Sequence, residues 1–398
     1  LTGAEVYSDK IKQFVQDHLT EDPAQLLLTY MGKVEFDLKF AVQQIKARQK
    51  AKSKIPSWYG NEKLIFPVSL SMEQASSEET ALFKADLVSG RKMIDLTGGL
   101  GVDSFFVGQN FDIVMYCEQN PELFEISKYN LEQLSPSKFR FYNGNSIDFL
   151  GKVVEKVDLI FVDPARRGEG NQKLFKLEDC EPNVVQYWEM FKSRAKSIMV
   201  KVSPMLDIKS ALSFLPGLSK VIVLSVKNEV KEILLFWSGE GKEDEALIET
   251  VDINRESKST FSFTYIEEEN ATSKISDTTE KYLIEPNAVI LKAGAYQTFG
   301  VRFGLEKIHP NSHFYTSKEL VEEYPGRVFA VIAEINQPKK EIKKLFPNGL
   351  VNVITRNYSM PAEALKKKFR LKDGGEDFLI GSKTSKGFQL WHCRLVSE

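Results

Sequence analysis

The chain has 398 residues with 53 basic and 55 acidic side chains, a formal net charge of −2 and 42% hydrophobic residues. That length predicts two to four domains with ample material for a buried core, and no apolar run approaches the roughly 20 residues of a bilayer span, so no membrane partner is expected. The N-terminal stretch lacks the basic, apolar and small-residue pattern of an export signal. Cys117, Cys180 and Cys393 are odd in number and have no metal-site spacing, so a reducing, cytoplasmic setting without a metal is expected.

From residue 4 to about 50 the chain reads as helices. Asp22-Pro23 is a capped start, and Val34, Leu38, Ala41, Val42 and Ile45 recur at helical spacing. The basic stretch 46–54 precedes Pro56, Trp58 and Tyr59; it suits a substrate-facing arm with interleaved aromatics or a linker packing on the next domain. Residues 71–88 suit one helix with early glutamates and Gly90 just past its end. Its Gln74, Ser76 and Ser77 either cap it or face a ligand pocket.

A short apolar strand then ends on Asp95 and turns through Thr97, Gly98, Gly99 and Gly101 into an apolar segment, carrying Asp103, that begins a helix. A side chain at Gly99 or Gly101 would hold the backbone away from a ligand lying against this loop. Asp95 and Thr97 place oxygen acceptors at the strand tip, which favours a cationic ligand over a pyrophosphate. The next strand, 112–117, leads to Glu118, 23 residues after Asp95, where a carboxylate can accept from both hydroxyls of a ribose. A third strand over 139–142 runs into Asn143-Gly144-Asn145-Ser146, in which Asn145 and Ser146 are candidate contacts to an adenine edge. The almost wholly apolar strand 157–162 stops at Asp163-Pro164-Ala165-Arg166-Arg167-Gly168.

The loop from Asp95 to Asp103 together with Asp163-Pro164 resembles the class I S-adenosylmethionine-dependent methyltransferases. Asp163-Pro164 matches the start of the D-P-P-Y-type motif of enzymes that methylate exocyclic amines, which implies that Asp163 accepts a hydrogen bond from the acceptor group, with Pro164 beside it. Two departures stand out: Thr97 replaces the first glycine of the D-x-G-x-G-x-G loop, and Ala165-Arg166 replace Pro and an aromatic ring that would stack on a flipped base. Across nearly the full chain, the segment order resembles a bacterial group with helical, Rossmann-like, ferredoxin-like and THUMP-like regions in turn. The likeness is carried also by Glu73 to Glu78, Glu285-Pro286-Asn287, His309-Pro310-Asn311-Ser312-His313 and Thr355-Arg356-Asn357. It implies S-adenosyl-L-methionine as cofactor, held by Asp95, Thr97, Gly98, Gly99, Gly101, Asp103, Glu118, Asn145 and Ser146, and suggests an RNA substrate.

Beyond Asp163, a helix over 182–195 and a strand over 197–202 place Lys201 and Ser203 at a strand's carboxyl end, where open α/β sheets bind ligands. Arg166 and Arg167 suit a phosphate or carboxylate on the acceptor, or ion pairs with acidic surface. Strands 221–226 and 232–237 read as a hairpin closing the sheet. Residues 244–266 alternate as strands, 267–277 form a polar loop, and 282–325 make a small α/β piece. A strand, helix, strand, helix and terminal hairpin follow from 327. His309 and His313 stand four apart, but Pro310 argues against a helical metal pair.

Residues 240–285 carry 13 acidic and 5 basic side chains, whereas 326–398 carry 14 basic and 7 acidic. The C-terminal part is the electrostatic candidate for a polyanion; the alternative is a solvated helix face at Lys366, Lys367, Lys368, Arg370 and Lys372. The fold class expected is α/β: a Rossmann-like methyltransferase sheet with an N-terminal helical region and a C-terminal α+β module. Its divisions are 1–70 helical, 71–240 catalytic, 241–325 connector and ferredoxin-like, and 326–398 THUMP-like. The function expected is methyl transfer to RNA; a small-molecule or protein acceptor, or a non-catalytic binder of S-adenosylmethionine and RNA, are the alternatives.

Overall fold

The computed structural model describes residues 7–67, 69–166, 176–239, 245–254, 258–320 and 322–397. The chain divides into two compact units, Leu1–Ser219 with Leu234–Asp244, and Lys220–Ile233 with Glu245–Glu398.

The first unit opens with helices Asp9–Asp17, Pro23–Tyr30 and Leu38–Lys54. Asp22 and Asp37 cap the second and third by accepting from the amides of Gln25 and Phe40, satisfying donors that a helix start leaves unpaired. The basic stretch 46–54 is thus the end of a helix rather than a linker, and Trp58 beyond it is buried against Leu100, Val102 and Phe106. Residues 71–88 form two helices, Ser69–Gln74 and Glu78–Ala85. Ser77 starts the second by accepting from the Thr80 amide at 3.2 Å, so the Ser-Ser-Glu-Glu run is a cap inside an otherwise continuous apolar period.

Five parallel strands follow: β1 (Gly90–Asp95), β2 (Phe111–Glu118), β3 (Phe139–Asn143), β4 (Val157–Val162) and, past the two-residue ribbon of β5 (Ala165–Arg166) and β6 (Cys180–Glu181), β7 (Ala195–Val202). Their order is β7-β4-β1-β2-β3. β1 therefore has β2 on one side and β4 on the other, and the strand order reverses there. That reversal opens a crevice at the carboxyl ends of β1 and β4.

In the second unit β8 (Lys220–Val226) turns through Lys227 and Asn228 into β9 (Glu229–Ser238), whose later residues belong to the first unit. This hairpin does not close the sheet. β10 (Leu247–Ile253) pairs parallel with β8, and β11 (Lys258–Phe263) pairs antiparallel with β10. The stretch expected as a polar loop contains the helix Tyr265–Asn270, which Thr264 starts by accepting from the Glu267 amide; its Glu268 carboxylate in turn accepts from the amides of Tyr296, Gln297 and Thr298 at the start of the helix Tyr296–Arg302. A seven-stranded sheet completes the unit: β12 (Tyr282–Pro286), β13 (Glu306–Lys307), β14 (Tyr315–Ser317), β15 (Gly326–Glu334), β16 (Asn352–Arg356), β17 (Asp377–Thr384) and β18 (Gly387–Ser397), in the order β13-β14-β12-β15-β18-β17-β16. Helices Pro338–Leu345 and Ala362–Phe369 bury Ile342 and Leu365 in a core shared with Leu379 and Leu390 of this sheet.

The buried Arg48 guanidinium donates to the carbonyls of Tyr59, Asn61, Glu62 and Leu64 and to the Tyr7 hydroxyl, fixing a turn that has no ladder of its own. Arg48→Met strands those carbonyls. It should lower the unfolding free energy by about 3 kcal/mol in denaturant titration of the whole chain; a loss below about 1 kcal/mol would assign the turn's stability to Trp58 packing alone.

Candidate functional site

A cavity of about 830 Å³ lies in the first unit at the strand-order reversal. Its lining includes Asp95, Thr97, Gly98, Gly99, Gly101, Asp103, Glu118, Asn145, Ser146, Asp163, Lys201 and Ser203, which the sequence singled out. The structure therefore brings together residues as far apart in the chain as Asp95 and Ser203. Pro164 is buried directly after Asp163. Arg167 lies outside the described residues, and of Arg166 the backbone alone is described, in β5.

The loop after β1 is held by its own side chains. Asp95, 1% exposed, accepts from the Thr97 amide at 2.9 Å and from the Ser104 hydroxyl. Burial pushes its carboxyl up to about 7, against the Ser104 and Thr97 hydrogen bonds that pull it down. The Thr97 hydroxyl accepts from the Asp163 amide at 2.6 Å, so the residue standing in place of a glycine ties the end of β1 to the end of β4. Gly98 packs on Tyr116, where a Cβ would sit 2.1 Å from the ring. Gly101 has φ +85° at the helix start, a left-handed conformation suited to glycine.

At the tip of β2, Glu118 accepts from the amides of Gly99 at 2.9 Å and Asn120 at 2.7 Å, one per carboxylate oxygen. Each oxygen keeps a lone pair for a further donor. Asn145, which lines the cavity, caps the helix Ser146–Lys152 through its carbonyl oxygen, accepting from Ile147 and Asp148, so its NH₂ group takes no part in the cap.

The opposite wall carries a chain of charges. Lys201 Nζ stands 2.6 Å from Asp163 Oδ2, 2.8 Å from Ser76 Oγ and 3.2 Å from Asp103 Oδ2. Asp103 is paired in turn with the fully buried Lys84 at 3.2 Å and accepts from Ser76 at 2.6 Å. Burial opposes ionisation of Asp103, but Lys201, Lys84 and Ser76 outweigh it and hold the carboxyl well below its ordinary range. Ser76 is thus part of the site, and Ser77 is the cap. Three contributors were not found in the sequence: Lys84, which reads as an ordinary helix lysine, and two residues that line the cavity, Tyr187 on the helix Val184–Arg194 and Glu181. Among them, Lys84 carried a signal, a lysine within the alanine- and phenylalanine-rich face of its helix.

The other singled-out motifs gather in the second unit. Glu285 is buried between Arg327 and Arg356, and Asn357 donates to Ser312. His309 and His313 are not on a helix: His309 accepts from the Asn311 amide, and the His313 ring stacks on Tyr296 at 3.7 Å.

Residues 282–325 match a ferredoxin-like domain and 326–395 a THUMP domain-like family. A candidate methyltransferase of Porphyromonas gingivalis W83, known as a crystal structure, is 28% identical over 100% of both chains, with a TM-score of 0.88. An uncharacterised S-adenosylmethionine-dependent methyltransferase of Mycobacterium tuberculosis is 20% identical over 305 residues, 76% of this chain and 80% of that protein. An uncharacterised RNA methyltransferase of Clostridium acetobutylicum is 30% identical over 110 residues, 27% of this chain and 24% of its own. Fold, domain matches and full-length likeness define the class: a Rossmann-like methyltransferase chain that carries a ferredoxin-like and a THUMP-like domain.

The raised carboxyl of Asp95 has a measurable consequence. Its ordinary value of 3.8 describes the unfolded chain, so below about pH 4 the group is neutral in both states and costs nothing. As pH rises from about 4 to 7 the unfolded chain ionises first, and stability falls until the folded carboxyl also ionises near 7. Asp95→Asn should abolish this slope. The variant's unfolding free energy relative to the parent should rise by a few kcal/mol, on the order of 3, between pH 4 and 8; parallel pH profiles would mean that Asp95 is ionised throughout.

Proposed function

We propose that the chain transfers a methyl group from S-adenosyl-L-methionine to RNA, with Asp163 facing the acceptor group. The observation that carries this reading is the cavity at the strand-order reversal, with a carboxylate able to take two more hydrogen bonds on one side and a pinned carboxylate on the other. The donor set fits a methionine-linked nucleoside: Glu118 retains acceptors for two ribose hydroxyls, and the NH₂ of Asn145 and the hydroxyl of Ser146 suit an adenine edge. Gly99 presents backbone toward open space, where an added Cβ would meet nothing nearer than 3.8 Å. Asp95 and Thr97 shape the loop, Asp103 anchors Lys201, and Gly98 and Gly101 allow the turn. When bound, the cofactor supplies an electrophilic methyl group on a sulfonium.

The chain's own work is alignment. Lys201 occupies Asp163 Oδ2 at 2.6 Å, so the other oxygen accepts from an N–H or O–H of the acceptor and turns its lone pair toward the donor, the contribution that matters most in an in-line displacement. Tyr187 offers the ring that Ala165 does not, which supports a planar base in the cavity. Ser203 and the Arg166-Arg167 pair are assigned to the acceptor's side, and the four divisions 1–70, 71–240, 241–325 and 326–398 serve as helical support, catalytic domain, connector and substrate-holding domain. An RNA acceptor is supported by the THUMP-like match, the basic 326–398 segment and the relative named an RNA methyltransferase. A small-molecule or protein acceptor is the second reading, favoured by the missing aromatic residue after Pro164.

Labelled methyl transfer into total RNA from a strain lacking this protein, followed by nucleoside mass spectrometry, is expected to yield one new methylated nucleoside. Incorporation into protein or small molecules alone would replace the RNA reading. In the same assay Asp163→Ala should cut turnover by about 100-fold while calorimetry finds donor affinity within about threefold of the parent. Retained turnover would remove Asp163 from the mechanism.

A further inference from the structure

Three segments of the second unit that play no part in the cavity are tied together by buried hydroxyls. The Ser312 hydroxyl donates to the Lys383 carbonyl at 2.6 Å, the Asn357 side chain donates to Ser312 at 3.2 Å, and Ser382 donates to the Arg356 carbonyl at 2.7 Å. One hydroxyl thus ties residues 309–313 to the end of β16 and to the β17–β18 hairpin. Asn357 sits at φ +49° and His313 at φ +36°, left-handed conformations that non-glycine residues adopt at a cost and that concentrate at working sites.

The surface combines rings and cations. Phe388 is 53% exposed and meets Tyr358 edge to face at 5.6 Å, while Lys383 Nζ lies 5.9 Å over the Phe388 ring. Arg356 is engaged elsewhere, on the other face of the sheet, where it shares the buried Glu285 with Arg327. Segments 309–313, 356–359 and 381–388 contain no acidic residue and add Lys386 and His309. The Lys-rich helix Ala362–Phe369 differs: Lys366 is neutralised by Glu363 and Asp373, and Phe369 packs toward the core.

We propose that Phe388, Tyr358 and Lys383, with Lys386 beside them in the hairpin, form a platform that stacks and neutralises a single-stranded RNA segment. A base has a π-face for an exposed ring, and the adjacent cations suit the phosphates that follow it, whereas a duplex hides its bases and offers only phosphate and sugar. The proposal takes its ligand class from the RNA reading above and is independent of methyl transfer.

The test is fluorescence anisotropy of the full chain with a labelled oligouridine strand and with an RNA duplex of equal length. Phe388→Ser, a change at an exposed ring, should leave the thermal midpoint in place and weaken the single strand by about tenfold, with the duplex unchanged. Lys383→Gln should lower affinity and flatten its salt dependence. Lys367→Gln with Lys368→Gln should leave single-strand affinity within about threefold. The platform is overturned if Phe388→Ser has no effect, if the helix pair carries the loss, or if the parent binds duplex as tightly as single strand. Absence of any RNA binding also overturns it, and in that event donor calorimetry and methyl transfer to other acceptors still decide the methyltransferase reading separately.

Discussion

Four buried or half-buried charges, Lys84, Asp103, Lys201 and Asp163, fix the geometry on which the cavity depends. They come from four places: the helix Glu78–Ala85, the helix Val102–Gly108, the end of β7 and the segment after β4. Removing such charges from water is costly, and only mutual pairing at 2.6 to 3.2 Å offsets that cost. A slide of any one of the four elements breaks at least one of these pairs. The network adds little to net stability by this argument; its effect is to allow one arrangement of the cavity wall.

The two halves of the cavity are mechanically coupled through Thr97. Its backbone amide is bonded to Asp95 and its hydroxyl to the backbone amide of Asp163. The loop that faces the proposed donor and the carboxylate that faces the proposed acceptor therefore share one residue. A glycine at 97 would permit the turn but lose this link. Glu118, bonded to Gly99, extends the same chain to β2. Alignment is the main contribution available in a displacement reaction, and a path from Glu118 to Asp163 made of hydrogen bonds at Gly99 and Thr97 and the short backbone between them is a direct way to maintain it.

Much of this was legible in the sequence, for physical reasons that differ by residue. Strand 157–162 was visible because a strand covered on both faces is uniformly apolar. The Asp95 to Asp103 loop was visible because its glycines mark a turn that β-carbons would obstruct. The parallel order itself could be anticipated, since strands alternated with helices. The break at Ser76-Ser77 was hidden by the apolar period that continues through it. The helix Tyr265–Asn270 was hidden because its glutamates look like solvated charge, whereas Glu267 pairs with Arg302 and Glu268 caps the helix Tyr296–Arg302. Tyr187 and the partner of Lys84 were hidden because those roles come from long-range packing: the apolar helix face hints that Lys84 is buried, but it meets Asp103 across 19 positions (103 − 84), and no local pattern encodes that meeting.

Charge illustrates why counting residues falls short of locating a binding surface. The acidic segment looked like a large negative field, yet Glu245 accepts from the Ile266 amide, Glu267 pairs with Arg302, Glu268 caps a helix and Glu285 is shared by two arginines. Those carboxylates are satisfied inside the second unit. The basic C-terminal segment is reduced in the same way where Lys366 pairs with Glu363 and Asp373, and where Arg394 pairs with Asp377. A polyanion responds to the field left after such pairing, because screened and neutralised charges contribute little beyond a Debye length of about 8 Å. By that measure the hairpin around Lys383 and Lys386, with no acid in its own sequence and an exposed ring beside it, is a stronger candidate than the longer lysine run that first draws the eye.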